Sequence, residues 1–394
     1  MSRKLFFVLS ILIAISFLAT ACGAKPTATT APSTGGEVAP PVVQTVEVIR
    51  TVIVTQEVTV QGTPPPPEII KPAGYGETLK AVQARGKVVC GVHTSLLGFG
   101  YLDANGRNIG FDIDFCRAVA AAVLGDPEAI EAVPITAADR GPVLQTGEVN
   151  MVTRNMTWTS KRDAEWGNFT WITFYDGQGF LVRADSGIAT LQDMNGATIC
   201  VTTGTTTEKN LATAFGDAGL TYEAVPFEDT PSVYGAYESG RCDVATSDKS
   251  QLASARASFA KPEDHLILPI TISKEPLTPA VPHGDEQWFG IVKTVIWGLI
   301  NAEEYGITSD NLEQMKSSEN SDIRSLLGVE GEADWGYSTL GLNPDALAKA
   351  ISAVGNYGEI YDRYFGTNGV AFVLDRGLNN LWNNGGLMYA PPIK

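Results

Sequence analysis

The sequence predicts an α/β protein made of two similar lobes, and three observations predict it. Short apolar runs alternate with helical stretches over residues 77–394, the pattern of a largely parallel sheet covered by helices. The segment RGPVLQTGEVNMVTRN (140–155) is echoed by VYGAYESGRCDVATSD (233–248). Upstream, KVVCGVHT (87–94) is echoed by ATICVTTG (197–204), in the same order. Two echoes in one order divide the chain into repeated units.

The N-terminus is a separate segment. Arg3 and Lys4 precede an apolar run at 5–19. That run is short of the roughly 20 residues a membrane span needs, so it reads as a secretory signal. Cys22 follows Leu18-Ala19-Thr20-Ala21 and precedes Gly23, which resembles a bacterial lipoprotein signal over 1–22 with Cys22 as the lipidated residue. The match departs in one place: the leucine usually three residues before the cysteine stands one step earlier. Residues 23–76 are rich in Thr, Pro and Val and contain Pro64-Pro65-Pro66-Pro67. Prolines favour extended backbone without ladder donors, so this reads as a tether. Within it, TVEVIRTVIVTQEVTV (45–60) is β-branched and prefers extended geometry.

The remaining 77–394 is long enough for two lobes. KVVCGV (87–92) reads as a buried strand and FDIDFCRAVAAAVL (111–124) as an alanine-rich helix. Further strands are expected at 149–153, 198–202 and 242–246. Leaving out Cys22, the four cysteines Cys90, Cys116, Cys200 and Cys242 fit an oxidising exterior, with their pairing open at this level. No C-x-x-C pair is present and there are three histidines, so neither a metal site nor a cofactor is expected. The net charge of −16 disfavours nucleic acid as a partner.

In open α/β sheets ligands bind beyond the carboxyl ends of strands. The repeat puts Asn155 and Asp248 at such ends, one in each lobe. Past Asn155 come Thr157, Thr159 and Arg162. Past the first strand of lobe two comes TGTTTE (203–208), in which a threonine followed by Glu208 reads as a helix N-cap. Free N–H groups at a helix start bind an anion, Arg162 can grip a carboxylate with two parallel bonds, and Asp248 can accept from an ammonium. Together they complement the zwitterionic head of a free amino acid. Taken singly, each is an ordinary cap, turn or solvated charge.

RGKVVCGV (85–92), GFDIDFCRAVAAAV (110–123), NMTWTSKRD (155–163), CVTTGTTTEKNL (200–211), GRCDVATSD (240–248), ISKEPLTPAV (272–281), GNYGEIYDRYFG (355–366) and GGLMYAPPIK (385–394) resemble the amino-acid-binding proteins of ABC importers. These are family 3 solute-binding proteins, and the look is that of the general L-amino-acid and glutamate/glutamine/aspartate/asparagine branch. The resemblance covers nearly all of 77–394. It implies a type II periplasmic-binding-protein-like fold, two α/β lobes joined by two crossing strands with a ligand cleft between them. Lobe one would span 77–183 and return over 275–394, and lobe two would span 184–274, with crossings near 180–183 and 273–281. It implies that Arg162 binds the ligand α-carboxylate, and that Thr157 contacts carboxylate and amino group. The Asn155 carbonyl would meet the α-amino group. Thr206, with Thr205 beside it, would contact the carboxylate from lobe two, and Asp248 would pair with the ammonium.

Departures from the family pattern bear on the pocket. An aromatic clamp is missing at 95–99 (SLLGF) and at Ala137 and Ala138, so a roomier side-chain pocket, broad with polar or acidic side chains favoured, is expected. A phenylalanine is missing near Ala137 to Arg140, and Asn150 replaces a usual aspartate with little effect expected on binding. Within this frame Cys200 would pair with Cys242, on neighbouring strands, and Cys90 with Cys116. The implied partners are a free L-amino acid and ABC permease subunits. The chain would be a monomer, not an enzyme, anchored outside the cytoplasm through lipid only, or else soluble in the periplasm. Two other readings belong to the same fold. A dehydratase or peptidoglycan lyase needs a proton-transfer residue in the cleft besides Asp248, and the sequence offers no P-loop or Gly-x-Ser-x-Gly elbow. A sensing module is normally fused to a signalling domain.

Overall fold

A computed structural model describes residues 74–394. The signal segment, Cys22, most of the tether and the 45–60 run lie outside the described residues. The last three tether residues belong instead to the folded part: Gly76 N donates to Asp285 Oδ1 at 3.0 Å, and the Tyr75 hydroxyl donates to Thr339 O at 3.3 Å.

Lobe one opens with α1 (Glu77–Arg85) and β1 (Val88–Val92), then a small antiparallel sheet of β2 (Ser95–Leu96), β3 (Gly100–Leu102) and β4 (Asn108–Ile109). The next helix, α2 (Phe111–Leu124), has the bounds read from sequence. It is buried over most of its length because it packs between β1 and the late helix Ala346–Val354, and its alanines permit that approach. β5 (Ile130–Pro134), α3 (Arg140–Thr146), β6 (Met151–Thr153), α4 (Ser160–Glu165) and β7 (Asn168–Phe169) follow. β1 runs parallel to β5 on one side and β6 on the other.

The chain leaves lobe one through β8 (Phe174–Asp176), and β9 (Gln178–Arg183) already lies inside the second sheet. The first crossing therefore falls at Gly177, not at 180–183, and the boundary moves from 183 to 177. A buried apolar run such as Phe180-Leu181-Val182 carries no mark of which sheet it will enter, and here it pairs antiparallel with both of its neighbours. Gly177 is required by crowding: a Cβ there would lie 2.5 Å from Thr271 Cγ2 and 2.9 Å from Ser273 O.

Lobe two continues with β10 (Thr198–Thr202), α5 (Thr206–Asp217), β11 (Glu223–Phe227), α6 (Thr230–Glu238), β12 (Val244–Asp248), α7 (Lys249–Ser258) and β13 (His265–Ile267). The return runs through β14 (Glu275–Leu277) and β15 (Ala280–Val281) into α8 (Glu286–Glu304). β14 pairs antiparallel with β8, so the lobes are joined by a two-stranded ribbon. The sheet orders are β5-β1-β6-β15-β7 and β11-β10-β12-β9-β13. In each, β1 or β10 runs parallel to both of its neighbours, and an antiparallel strand, β15 or β9, follows the central β6 or β12. The sequence echoes are the trace of this shared topology.

Strand β12 starts two residues later than expected, so Cys242 precedes the strand instead of lying on it. Cys200–Cys242 and Cys90–Cys116 are the disulfides, with Cα separations of 5.7 and 6.5 Å, inside the range a disulfide can bridge. Each lobe thus carries one covalent staple. Lobe one holds the larger core, in which α2, α8 and the helix Tyr357–Phe365 pack Phe99, Phe111, Trp288 and Phe365.

Candidate functional site

The strand ends of both lobes converge on a cleft of about 350 Å³ that is partly open to solvent. Lobe one contributes Ala137, Arg140, Arg154, Asn155 and Thr157 to its walls. Lobe two contributes Thr202, Thr205, Thr206, Thr230, Asp248 and Gln251.

The lobes are shut on one another here. The Thr157 and Thr206 hydroxyls are 3.2 Å apart. Asn155 Nδ2 donates to Gln251 Oε1 at 2.8 Å, His93 Nε2 lies 3.1 Å from Thr230 Oγ1, and the Ser254 hydroxyl donates to Leu97 O at 2.9 Å. The backbone closes up as well: Gly204, at φ +72°, would put a Cβ 3.4 Å from Ala138.

On the lobe-two wall, Thr205 caps α5, its hydroxyl accepting from Glu208 N at 3.1 Å, as the sequence predicts. Thr206, the first helical residue, donates its hydroxyl to Glu275 Oε2 at 2.9 Å. Its N–H and that of Thr207 are first-turn groups with no intrahelical acceptor, so they suit a carboxylate. Asp248 ends β12 and is buried, with Oδ1 unpartnered among the described residues. Burial, and then the nearby Asp176 and Glu275, push its carboxyl well above the usual carboxylate range, against the pull of Arg140 and Arg162.

On the lobe-one wall, Asn155 has φ +28°, the one non-glycine left-handed residue among those described. Such backbone persists where its surroundings over-determine it; here Asn155 N donates to buried Asp112 Oδ2 at 2.7 Å. The Asn155 carbonyl has Arg140 Nη1 beside it at 3.5 Å. Arg162 is buried in α4 immediately behind Thr157, donating Nη1 to Thr157 O at 3.0 Å, with its guanidinium 4.6 Å over the Trp166 ring. It does not itself line that space. Burial lowers it to about 10, opposed by the charges of Glu275 and Asp248.

Arg140, Arg154, Gln251, Thr202, Thr230 and Glu275 are the residues that sequence reasoning missed. Arg140 lies in the 137–140 stretch where a phenylalanine was expected, and it lines the cleft. One signal could have found it: a cation in the first turn of α3 opposes the helix dipole. Glu275 could not be found locally, since its partners Thr206 and Asn210 are distant in sequence. Asn150 is structural. Its Oδ1 accepts from Val89 N at 2.9 Å and Arg85 Nη2 at 2.7 Å, away from the cleft. Among the described residues no cluster could hold a metal ion, and no helix is long and apolar enough to cross a membrane.

Residues 88–367 match the model of the bacterial extracellular solute-binding proteins, family 3. The chain belongs to that family. Among relatives of this solute-binding protein, the general L-amino acid-binding periplasmic protein AapJ of Rhizobium johnstonii is 50% identical over 323 residues, 82% of this chain and 94% of the relative. The glutamate/glutamine/aspartate/asparagine-binding protein BztA of Rhodobacter capsulatus is 46% identical over 328 residues, 83% and 96% of the two chains. A solved ABC transporter/periplasmic binding protein from Brucella ovis, with glutathione bound, superposes with a TM-score of 0.78 at 46% identity, covering 80% of this chain and 99% of that one. These confirm the two-lobed solute-binding fold that the sequence suggested.

Proposed function

We propose that this family 3 solute-binding protein captures free L-amino acids outside the cytoplasm by closing its lobes on them, and delivers them to the permease of an ABC transporter. The observation that carries the reading is the division of charge across one cleft. A buried Asp248, its Oδ1 unpartnered among the described residues, and the first-turn N–H groups of α5 come from lobe two, and arginine with Asn155 and Thr157 come from lobe one. Asp248 takes the α-ammonium. Thr157, Thr205, Thr206 and Arg162 take the α-carboxylate, Arg162 from its place behind Thr157. Asn155 helps to seat the amino group through its carbonyl. The ligand names of AapJ and BztA support this substrate class. With Ala137 and Ala138 in place of an aromatic clamp, the side-chain pocket is broad, and polar or acidic side chains suit its walls.

The protein binds and does not catalyse: Asp248 is committed to the ammonium, and the relatives at 50% and 46% identity are named as binding proteins. It works as a monomer, with lobe one at 77–177 and 275–394 and lobe two at 178–274, tethered through 23–73 to a lipid on Cys22. Mass measurement of the membrane-extracted chain and of C22A tests the anchor. For the ligand, thermal-shift screening of ligand-stripped protein against the proteinogenic L-amino acids, with Arg162→Ala alongside, is decisive, because a ligand of the folded state raises the melting temperature. Shifts from several amino acids, lost in Arg162→Ala, are expected. No shift from any of them overturns the reading.

A further inference from the structure

The two strands that join the lobes change sides at one rung. On the outgoing path the Tyr357 hydroxyl donates to Thr173 O at 2.9 Å, and Phe174 stacks on Tyr361 with ring centres 6.0 Å apart. Both partners stand on the lobe-one helix Tyr357–Phe365. Just beyond, the ties are to the start of α7 in lobe two: Asp176 Oδ2 accepts from Ser250 N at 3.2 Å, and Gly177 O from Lys249 N at 2.9 Å. The return strand does the same in reverse. Glu275 accepts from Thr206 and Asn210 of lobe two at 2.9 and 2.6 Å, while Pro276 O accepts from Trp158 N of lobe one at 2.8 Å. Asp176 pairs with Glu275 and Tyr175 with Pro276, so both strands pass from one lobe to the other between the same two rungs. The chain enters the second sheet past Gly177; its contacts divide just before it.

Tyr175 is the last lobe-one residue on the outgoing path. Its partner across the ribbon, Pro276, has no N–H to offer. The Tyr175 peptide groups turn instead to the other edge, where one side chain meets both: Tyr175 N donates to Asn379 Oδ1 at 2.7 Å, and Asn379 Nδ2 donates to Tyr175 O at 3.2 Å. A carboxamide thus stands in for the peptide of a third strand. Asn379 is buried and is itself held. Its carbonyl accepts from Arg376 Nη2 at 2.9 Å and Nε at 3.2 Å, and Arg376 is paired with Glu303 of α8. Trp171 Nε1 donates to Tyr389 O at 2.9 Å and Asn301 Nδ2 to Pro391 O at 2.8 Å, which fastens the rest of the C-terminal segment to lobe one. None of these partners belongs to lobe two, so opening and closing leave the bonds made.

We propose that Asn379 is a positioning residue for closure: it keeps Tyr175 part of lobe one and confines the pivot to the link between the Tyr175–Pro276 and Asp176–Glu275 rungs. This rests on the lobe-closing reading above and goes beyond it. Without the amide, the Tyr175 backbone is free while the lobes are apart. It is fixed again when they shut, because Thr173 stays on lobe one, Asp176 stays on lobe two, and Thr157–Thr206 and Asn155–Gln251 hold the lobes together. Ordering one residue's backbone has an entropic cost, and that cost falls on the closing step. With Asn379 in place the pivot is ordered beforehand.

The test compares ligand-stripped full chain, as wild type, Asn379→Ala and Asn379→Asp, with L-glutamate and L-glutamine as probes. The aspartate variant keeps the size and still accepts from Tyr175 N, but it turns an oxygen toward Tyr175 O, and it carries the test if the alanine variant does not fold. Either variant is expected to weaken both probes alike, by about fivefold or more, with stopped-flow showing slower capture and unchanged release. Hydrogen exchange at the Tyr175 amide of the ligand-free protein should quicken in both, by about tenfold in Asn379→Ala. A variant that melts lower yet keeps the wild-type affinity and rates overturns the proposal, since Asn379 then only braces lobe one. A loss that lies wholly in faster release overturns it too, since Asn379 then acts on the closed form. Failure of wild type to bind either probe tells against the parent reading, and the exchange at Tyr175 then decides alone: no quickening in either variant overturns the pivot.

Discussion

The two lobes share a sheet order and differ in what they put at the ends of equivalent strands. Just past β6 lobe one places Arg154 and left-handed Asn155, with Arg140 and Arg162 close by. Lobe two ends β12 in Asp248 and surrounds it with threonines. A repeated frame has thus been loaded with positive charge on one side and with acid, hydroxyls and a helix start on the other. A ligand carrying both signs can satisfy neither wall alone, which makes it the bridge that holds the lobes shut.

The largest break in this comparison comes from removing the lobe-one cation. Arg162→Ala should cost about 2–5 kcal/mol of binding, because Asp248 and the ligand carboxylate are left without it. That is roughly 30-fold or more in Kd, read by calorimetry. An unchanged Kd would move the α-carboxylate to Arg140. The matching change in lobe two, Asp248→Asn, should weaken amino acids by roughly tenfold or more. It should also raise the melting temperature of the ligand-free protein, since an acid whose carboxyl burial lifts well above the usual range no longer has to be ionised.

Acidity sharpens the same contrast. Burial lifts Asp176 to about 6 and lifts Asp248 well above its ordinary value. Both values fall when an ammonium sits beside Asp248, so binding releases protons. Affinity should therefore be full above the raised values of both groups and decline as pH falls through them, about 6 for Asp176. Buffers of different ionisation enthalpy will give different binding heats near pH 6 if this holds, and identical heats if Asp248 carries no ammonium. Smaller effects are expected where the lobes merely touch. Thr206→Val removes the donor to Glu275 and should cost about 1–2 kcal/mol of affinity. Gln251→Ala, which loses the Asn155 contact across the lobes, should cost about 1 kcal/mol, and stopped-flow should place that loss in faster release.

How much of this was legible in the sequence depends on range. α2 was readable to its last residue because its alanines sit between two glycines that stop it, Gly110 and Gly125, the latter left-handed at φ +77°. β1 and β10 were readable as apolar runs, and Thr205 as a cap, because each is a local signal. The placement of Asn155 and Asp248 in one cleft came from the repeat, which carries long-range information in a local form. The crossing at Gly177 was not readable: the strand beyond it is as apolar as a lobe-one strand would be. Nor were Arg140 and Arg154, since a lone arginine in sequence is by default solvated, and only the folded sheet reveals that three of them converge. Cys242 fell off its strand by two residues, which changed its element without changing its partner.

In the connecting ribbon, Asp176 on β8 stands directly opposite Glu275 on β14; the Glu275 charge raises the Asp176 carboxyl, and both raise that of Asp248. Like charges across a strand pair repel. A proton, or a cation held in the cleft, relieves that repulsion, so the ribbon that joins the lobes carries charge that answers to what the cleft contains.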